Sequence, residues 1–155
     1  MAQYLGAGTA ACYRGSQVYN ETTPVGLHVR KVMKTWIGFY KRHRDTLIQP
    51  IVHLQRATAS DWDGWLHVNP RGETEVGLAM IFNPTDRHLN GTMISLPLYY
   101  TGLEWDVGLL VDDAPVYHTR LERDYSVGVM LDMKPKSIHT IIVQRSLGSV
   151  LAAED

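Results

Sequence analysis

Alternation of apolar and polar positions dominates the later two-thirds of the chain. The clearest case is YSVGVMLDM at residues 125–133, where an aromatic or aliphatic side chain occupies every second position. Successive side chains of a strand point to opposite faces, so this pattern predicts a half-buried β-strand. In residues 76–82, VGLAMIF, both alternate sets are apolar or small. That pattern predicts a strand buried on both faces, inside a sheet that packs against a second layer.

Turn-forming residues divide this region into eight predicted strands, and short strands with such turns are typical of an antiparallel sandwich. The strands are 51–56, 62–69, 75–83, 91–98, 105–111, 116–123, 125–133 and 137–145. The turns are Asn83-Pro84, Asn90-Gly91, Thr101-Gly102, residues 112–115 and Lys134-Pro135. We therefore expect a mainly β protein: an antiparallel β-sandwich of about eight strands, preceded by one amphipathic α-helix.

The helix is predicted over residues 24–45, where apolar residues recur every three to four positions rather than every two. Thr23 is a good N-cap, and Pro24 suits the first helical position. Basic side chains lie on the opposite face. This face either binds phosphate or acidic surfaces or is solvated, and it can meet the acidic sandwich of a neighbouring copy. The apolar stripe is expected to be covered, because an exposed apolar patch of this kind associates with other apolar surfaces. Its candidate interface residues are Val29, Met33, Trp36, Ile37 and Tyr40.

Before the helix, residues 3–8 predict a short strand that ends in a glycine turn. Residues 6–11 also satisfy G-x-G-x-x-A, a dinucleotide-binding pattern, but the predicted helix begins too late to present its N-terminus to a pyrophosphate. A strand-end turn is the better interpretation. The expected organisation is an N-terminal strand, loop and helix at 1–49, a β-sandwich at 50–146 and a C-terminal tail at 147–155.

Charge is distributed unevenly along a chain of one-domain length. The net charge is −1, yet residues 1–45 carry +5 and the remainder carries −6. The two parts are expected to attract each other, within a chain or between chains. The overall balance gives no reason to expect a nucleic-acid partner.

Composition also limits the candidate chemistry. The single cysteine, Cys12, excludes an intramolecular disulfide, and the seven histidines form no H-E-x-x-H or H-x-H pattern. We therefore expect neither a metal site nor a cofactor. No apolar run approaches the roughly 20 residues of a membrane span. The start of the chain shows no signal-peptide pattern, so we expect a soluble protein whose compartment the sequence leaves undefined.

Several segments together resemble the C-terminal end of certain glycoside hydrolases, in which a (β/α)8 catalytic barrel is followed by a small all-β domain. The segments are YLGAG at 4–8, ACYRG at 11–15, the helix with Trp36, Tyr40 and Arg44-Asp45, I-x-HL-x-R at 51–56, DWDGWLHVNP at 61–70, IFNPT at 81–85, ISLPLYYTGL at 94–103 and LERDYSV at 121–127.

The resemblance implies that residues 3–45 correspond to the last barrel strand and helix, and residues 50–146 to the C-terminal sandwich. It also implies that Tyr13 and Arg14 lie on the barrel face where sugar subsites are built. A complete barrel needs roughly 200 residues or more, so most of the catalytic barrel is absent from this chain. Two alternatives follow: a fragment of a larger enzyme, or a short protein that retains the sandwich and reuses the helix.

Glycoside hydrolysis requires two carboxyl groups roughly 5 to 10 Å apart. Neighbouring pairs of the right type are Asp61 and Asp63, Glu73 and Glu75, Glu104 and Asp106, and Asp112 and Asp113. All of them fall at predicted strand ends or turns, where solvated acids are common. We therefore assign no catalytic residue.

Trp62, Trp65 and Trp105 are candidates for stacking on sugar rings, because an indole offers a flat apolar face and an N–H donor. Trp62 and Trp65 have opposite strand parity, so they are not expected to form one platform, and at least one should belong to the core. Packing or interface roles remain the alternative for all three.

Two hypotheses follow. In the first, the chain is the non-catalytic accessory or structural part of a glycoside-hydrolase-like, carbohydrate-active protein, and its partner is a catalytic barrel. In the second, it is a self-assembling structural or glycan-binding protein, and the N-terminal helix forms the contact within a homo-oligomer.

Overall fold

The computed structural model describes residues 1–9, 20 and 22–146. The chain divides into two compact units, Met1–Ile48 and Gln49–Asp155. The described part of the first unit contains two α-helices, and that of the second contains eight β-strands and one short 3₁₀-helix. The expectation of a mainly β, sandwich-like fold with one long preceding helix is confirmed.

The first helix, α1, spans Ala2–Gly6, so the predicted strand at 3–8 is wrong. Ala2 and Leu5 are buried, and their spacing of three residues is helical. A segment this short does not distinguish a period of two from one of 3.6. The glycine turn therefore ends a helix rather than a strand. Gly8, at φ +73°, donates to the Leu5 carbonyl, and Thr9 donates to that of Tyr4, as in a Schellman C-cap.

The long helix, α2, spans Pro24–Leu47, two residues beyond its predicted end. Its N-terminus is as predicted: the Thr23 hydroxyl accepts a hydrogen bond from the Gly26 backbone N–H at 3.1 Å. Within this unit α1 lies against α2. A Cβ added to Gly8 would lie 1.9 Å from the Leu47 carbonyl oxygen, so only glycine allows this approach.

Eight strands in two antiparallel sheets form the described part of the second unit. The larger sheet has the order β1-β2-β3-β8-β5-β6, and the smaller sheet pairs β4 with β7. The strands are β1 (Ile51–Gln55), β2 (Asp63–Val68), β3 (Glu75–Phe82), β4 (Leu89–Pro97), β5 (Asp106–Val111), β6 (Tyr117–Arg120), β7 (Ser126–Met133) and β8 (Ile138–Arg145); the 3₁₀-helix is Tyr99–Thr101.

One hydrophobic core joins the two sheets. Ile94, Leu96, Val127 and Val129 of the small sheet pack with inward-facing residues of the large sheet, such as Leu109. β3 lies between β2 and β8 and is buried along nearly its whole length, as its apolar pattern on both faces predicts. The core therefore holds the ends of the sandwich, where the loops lie, in fixed positions.

One predicted turn does not exist. Asn90-Gly91 lies inside β4, at an irregularity in the pairing with β7 between Leu89 and Thr92. Gly91 has φ +56°, and its N–H donates to a carboxylate oxygen of Asp132 at 2.7 Å. A glycine with positive φ occurs in β-bulges as well as in hairpin turns. The Asn-Gly dipeptide alone therefore does not distinguish a bulge from a turn.

Candidate functional site

Exposed aromatic side chains collect at one end of the sandwich. There β4 ends opposite the start of β7, with Pro97 paired to Ser126, and β5 begins opposite the end of β6, with Asp106 paired to Arg120. We call this region the aromatic end and define it by Tyr99, Tyr100, Trp105, Arg120 and Tyr125.

Trp105 is 67% exposed and lies immediately before β5. The guanidinium carbon of Arg120 lies 6.0 Å from the centroid of its ring. A cation over an exposed aromatic ring contributes about 0.5–1 kcal/mol, which favours one orientation of the indole. The Leu121 backbone N–H donates to the Trp105 carbonyl oxygen at 2.8 Å. Hydrogen bonding thus holds the backbone of Trp105, while most of its side chain remains accessible.

Three tyrosines form a second exposed group. The rings of Tyr99 and Tyr100 meet edge to face with centroids 5.3 Å apart, and those of Tyr99 and Tyr125 do so at 5.5 Å. All three side chains are exposed. Edge-to-face contact is a favourable arrangement for aromatic rings, so the three side chains support one another at the surface.

The turn between β6 and β7 fixes Tyr125. Its N–H donates to the Glu122 carbonyl oxygen at 2.9 Å, and its φ of +61° is unusual for a residue other than glycine. Asp124 accepts a hydrogen bond from the Ser126 backbone N–H at 3.0 Å. Hydrogen bonding from Ser126 holds the pKa of Asp124 below its usual value, so this exposed carboxylate is ionised at neutral pH.

A cleft of about 590 Å³ opens at the same end of the sandwich. This volume falls within the range of roughly 300–1,000 Å³ that is typical of small-ligand sites. Arg145 steadies one wall, because its guanidinium donates to the Pro70 carbonyl oxygen at 2.9 Å. The lining is Gln49, Pro50, Ile51, Val52, Val68, Asn69, Pro70, Arg71 and Tyr100.

The structure separates the three candidate tryptophans of the sandwich. Trp62 is 9% exposed and belongs to the core. Trp65, on the other face of the large sheet, is half-buried, and its ring centroid lies 4.9 Å from that of Phe82. Only Trp105, among these three, offers most of its surface to a ligand. The remaining sugar-contact candidates, Tyr13 and Arg14, lie outside the described residues.

The predicted interface residues of α2 are partly exposed. Ile37 is 37% exposed. The other four candidates, all half-buried, are Val29, Met33, Trp36 and Tyr40.

The paired carboxylates lie at strand ends and turns. Burial raises the pKa of Asp63. For Asp112, burial opposes ionisation, but hydrogen bonds from His139 and from the Thr140 backbone outweigh it and hold the pKa of Asp112 below its usual value. Two acids of the same group, Glu104 and Asp106, flank Trp105 and are exposed. They are therefore available as hydrogen-bond acceptors at the aromatic end.

Two further features concern only the part of the chain that the structure describes. No group of three or more histidine, cysteine, aspartate or glutamate residues is arranged there to hold a metal ion. None of its helices combines the length and the apolar character needed to cross a membrane.

Several residues of the aromatic end were not singled out from the sequence. The Tyr99-Tyr100 doublet before Thr101-Gly102 was the sequence signal for exposed aromatic side chains, because adjacent tyrosines at a turn cannot easily both enter a core. Nothing in the sequence pairs Arg120 with Trp105, since that contact depends on the register between β5 and β6.

Comparison with protein-family models, with curated proteins and with solved structures found no match to this chain.

Proposed function

We propose that this chain is the accessory β-sandwich of a glycoside-hydrolase-like, carbohydrate-active protein, and that it binds carbohydrate at its aromatic end without cleaving glycosidic bonds. The exposure of Trp105 is the observation that carries the proposal. An indole buries a large apolar surface when it can, and Trp62 does so in the same sandwich. A tryptophan held at the surface beside a cation is therefore suited to contact a ligand.

The surroundings of Trp105 match the needs of a sugar. A pyranose ring has a flat C–H face, which stacks on an indole, and a rim of hydroxyl groups, which require both donors and acceptors. Arg120 supplies donors beside the indole, and the exposed carboxylates of Glu104 and Asp106, next to Trp105 in the sequence, are acceptors at the same end of the sandwich. The cleft beside Tyr100 has room for further sugar units.

A panel of soluble oligosaccharides, screened on an array and followed by titration calorimetry, tests this proposal. We expect Trp105→Ala to weaken binding about tenfold or more, which corresponds to a loss of about 1.4 kcal/mol. The matched control is Tyr4→Ala, which removes a 62% exposed aromatic side chain from α1 and should leave the affinity unchanged. Absence of binding to every glycan, or equal binding by the Trp105 variant, would exclude the site.

Glycosidase activity is tested separately with chromogenic glycosides. We expect no turnover, because the candidate carboxylates lie at strand ends on a sandwich and the resemblance assigns the chemistry to a catalytic barrel rather than to the sandwich. Turnover that disappears in Asp63→Asn would contradict this part of the proposal, since burial raises the pKa of Asp63 in the direction that suits a general acid.

A second candidate function is self-assembly through α2. The partial exposure of Ile37 and of the half-buried stripe around it favours this alternative. Size-exclusion chromatography with light scattering decides between a monomer and a defined oligomer. If the stripe is the contact, Ile37→Glu should dissociate the oligomer, whereas Lys34→Glu, a charge change at an exposed position of the same helix, should not. A monomeric wild-type chain would end this alternative.

A further inference from the structure

Three polar side chains meet at the end of the sandwich opposite the aromatic end. Ser137 immediately precedes β8, and His139 is its second residue. Residues two apart on an extended chain point to the same side, which brings their side chains together. Asp112 reaches them from the turn after β5, because Val111 pairs with Ile141 on the neighbouring strand.

The three side chains form a single chain of hydrogen bonds. Nδ1 of His139 lies 2.5 Å from Oδ2 of Asp112, and Nε2 of His139 lies 3.0 Å from Oγ of Ser137. An ionised carboxylate only accepts, so the Nδ1 atom carries the proton. In neutral His139 the Nε2 lone pair then accepts from the Ser137 hydroxyl. The lowered pKa of Asp112 agrees with an ionised carboxylate.

The backbone holds Asp112 in place. Its N–H donates to the Thr140 carbonyl oxygen at 2.9 Å, and the Thr140 N–H donates back to Oδ1 of Asp112 at 2.8 Å. The left-handed φ angles of Asp112 and Asp113, +49° and +61°, make a tight turn that aims the first carboxylate at β8. The carboxylate is thus fixed by β8 itself, the strand that carries His139.

We propose that Ser137 is the nucleophile of an acyl-transfer site, with His139 as its general base and Asp112 as the residue that positions His139. The order of contacts, carboxylate to Nδ1 and Nε2 to hydroxyl, is the arrangement by which a histidine activates a serine. The substrate class is an ester with a small acyl group. Ser137 and His139 are half-buried and Asp112 is exposed, so the site lies at the surface, where a small acyl group reaches the hydroxyl.

The reaction balances without any further reagent except water. Oγ of Ser137 attacks the ester carbonyl carbon, and its proton passes to Nε2 of His139. The bond from that carbon to the alkoxy oxygen breaks, and the alcohol leaves with the proton from Nε2. Water then attacks the acyl-serine, again losing its proton to His139, and releases the carboxylic acid while Ser137 recovers its proton.

Turnover is expected to be slow. The Ser137 N–H is already bonded to the Lys134 carbonyl oxygen, so it does not stabilise the oxyanion that develops on the substrate. Loss of one such donor reduces the rate by about 10²- to 10³-fold in other serine hydrolases. The acyl-serine should therefore be easier to detect than multiple turnovers. This inference is independent of carbohydrate binding, because the site lies at the other end of the sandwich.

The first experiment treats the full chain with a fluorophosphonate probe and locates the adduct by peptide mass spectrometry. We expect a single adduct on Ser137, its loss in Ser137→Ala and at least a 100-fold slower reaction in His139→Gln. Ser95→Ala, a change at an exposed serine of β4, is the matched control and should react like the wild type. No adduct at Ser137, or equal labelling in His139→Gln, would overturn the proposal.

A second variant tests the same proposal if Ser137→Ala does not fold. Ser137→Cys should be alkylated by iodoacetamide much faster than the same variant carrying His139→Gln, because a neighbouring imidazole favours the thiolate. Peptide mass spectrometry separates this thiol from Cys12. Equal alkylation rates in the two backgrounds would count against activation by His139.

The positioning role of Asp112 requires its own measurement. For hydrolysis of p-nitrophenyl acetate, Asp112→Asn should lower kcat by between about 10²- and 10⁴-fold and leave KM within about twofold. The short contact between His139 and Asp112 should also give a proton NMR resonance far downfield that vanishes in the variant. An unchanged kcat would show that the Asp112 carboxylate only stabilises the turn after β5 and does not position His139 for catalysis.

Discussion

Asn83 joins the two sheets of the sandwich: its side-chain amide donates to the Met133 carbonyl oxygen at 3.1 Å, across a separation of 50 residues. Asn83 follows β3 of the large sheet, and Met133 ends β7 of the small one. The carbonyl oxygens of Arg87 and Lys134 lie 2.8 and 2.9 Å from the same amide nitrogen, whose two N–H groups are therefore shared among three acceptors. A single buried side chain thus satisfies carbonyl groups from two loops and a strand end.

The substitution Asn83→Ala should lower the free energy of unfolding by about 2–3 kcal/mol, because it removes the buried hydrogen bonds to the Met133 carbonyl oxygen and from the Thr85 N–H. Urea denaturation followed by tryptophan fluorescence measures the change. Asn90→Ala, at an exposed position of β4, is the control and should alter stability by less than about 0.5 kcal/mol. Equal effects of the two substitutions would show that the amide does not tie the sheets together.

Stability at low pH should depend on Asp112. The pKa of Asp112 is lower in the folded chain than the unfolded value of about 3.9, so its ionised form stabilises the fold. That contribution is complete above the unfolded pKa and disappears as the pH falls through the folded pKa. Because the side chain is 43% exposed, solvent screens the pair with His139, and we expect only about 1 kcal/mol.

Urea denaturation of the wild type and of Asp112→Asn at pH 7 and at about pH 3 tests this sign. The wild type should have the larger free energy of unfolding at pH 7. The difference from Asp112→Asn should become smaller at the lower pH. Asp113→Asn, at the next position of the same turn, serves as the control. A difference that stays constant between the two pH values would contradict the role of the ionised carboxylate.

Two strand glycines should respond differently to alanine. A Cβ at Gly64 would lie 2.5 Å from the Met80 carbonyl oxygen, and backbone on a central strand has little freedom to move. A Cβ at Gly128 would meet only the flexible and exposed side chain of Met93, whose sulfur would lie 2.8 Å away. We expect Gly64→Ala to cost about 2–3 kcal/mol and Gly128→Ala to change stability by less than about 0.5 kcal/mol.

Both variants can be compared in one series of urea titrations. Similar losses of stability at the two positions would show that the close approach of β2 to β3 is not what requires glycine at position 64.

The strands were predictable because alternation is a local property of the sequence. In β7, buried and exposed residues alternate along the whole strand, as residues 125–133 predicted. The order of the strands was not predictable from this signal. β8 lies between β3 and β5, and such pairings between distant segments depend on which faces fit together.

The candidate site was predictable only in part. Trp62 and Trp105 look alike in the sequence, because each is an aromatic residue next to acids at a strand boundary. Their burial differs because Trp62 packs into the core whereas Trp105 projects from the end of the sandwich. The contact of His139 with Asp112 was also not predictable from the sequence, since it joins residues 27 positions apart through the pairing of β5 with β8.

The proposed binding of carbohydrate at the aromatic end is tested most directly by the indole N–H resonances of the four tryptophans in a ¹⁵N–¹H spectrum, assigned with single Trp→Phe variants. On titration with an oligosaccharide selected on the array, the Trp105 resonance should shift in proportion to occupancy, while that of core Trp62 stays in place. Binding that leaves the Trp105 resonance unmoved would contradict the account.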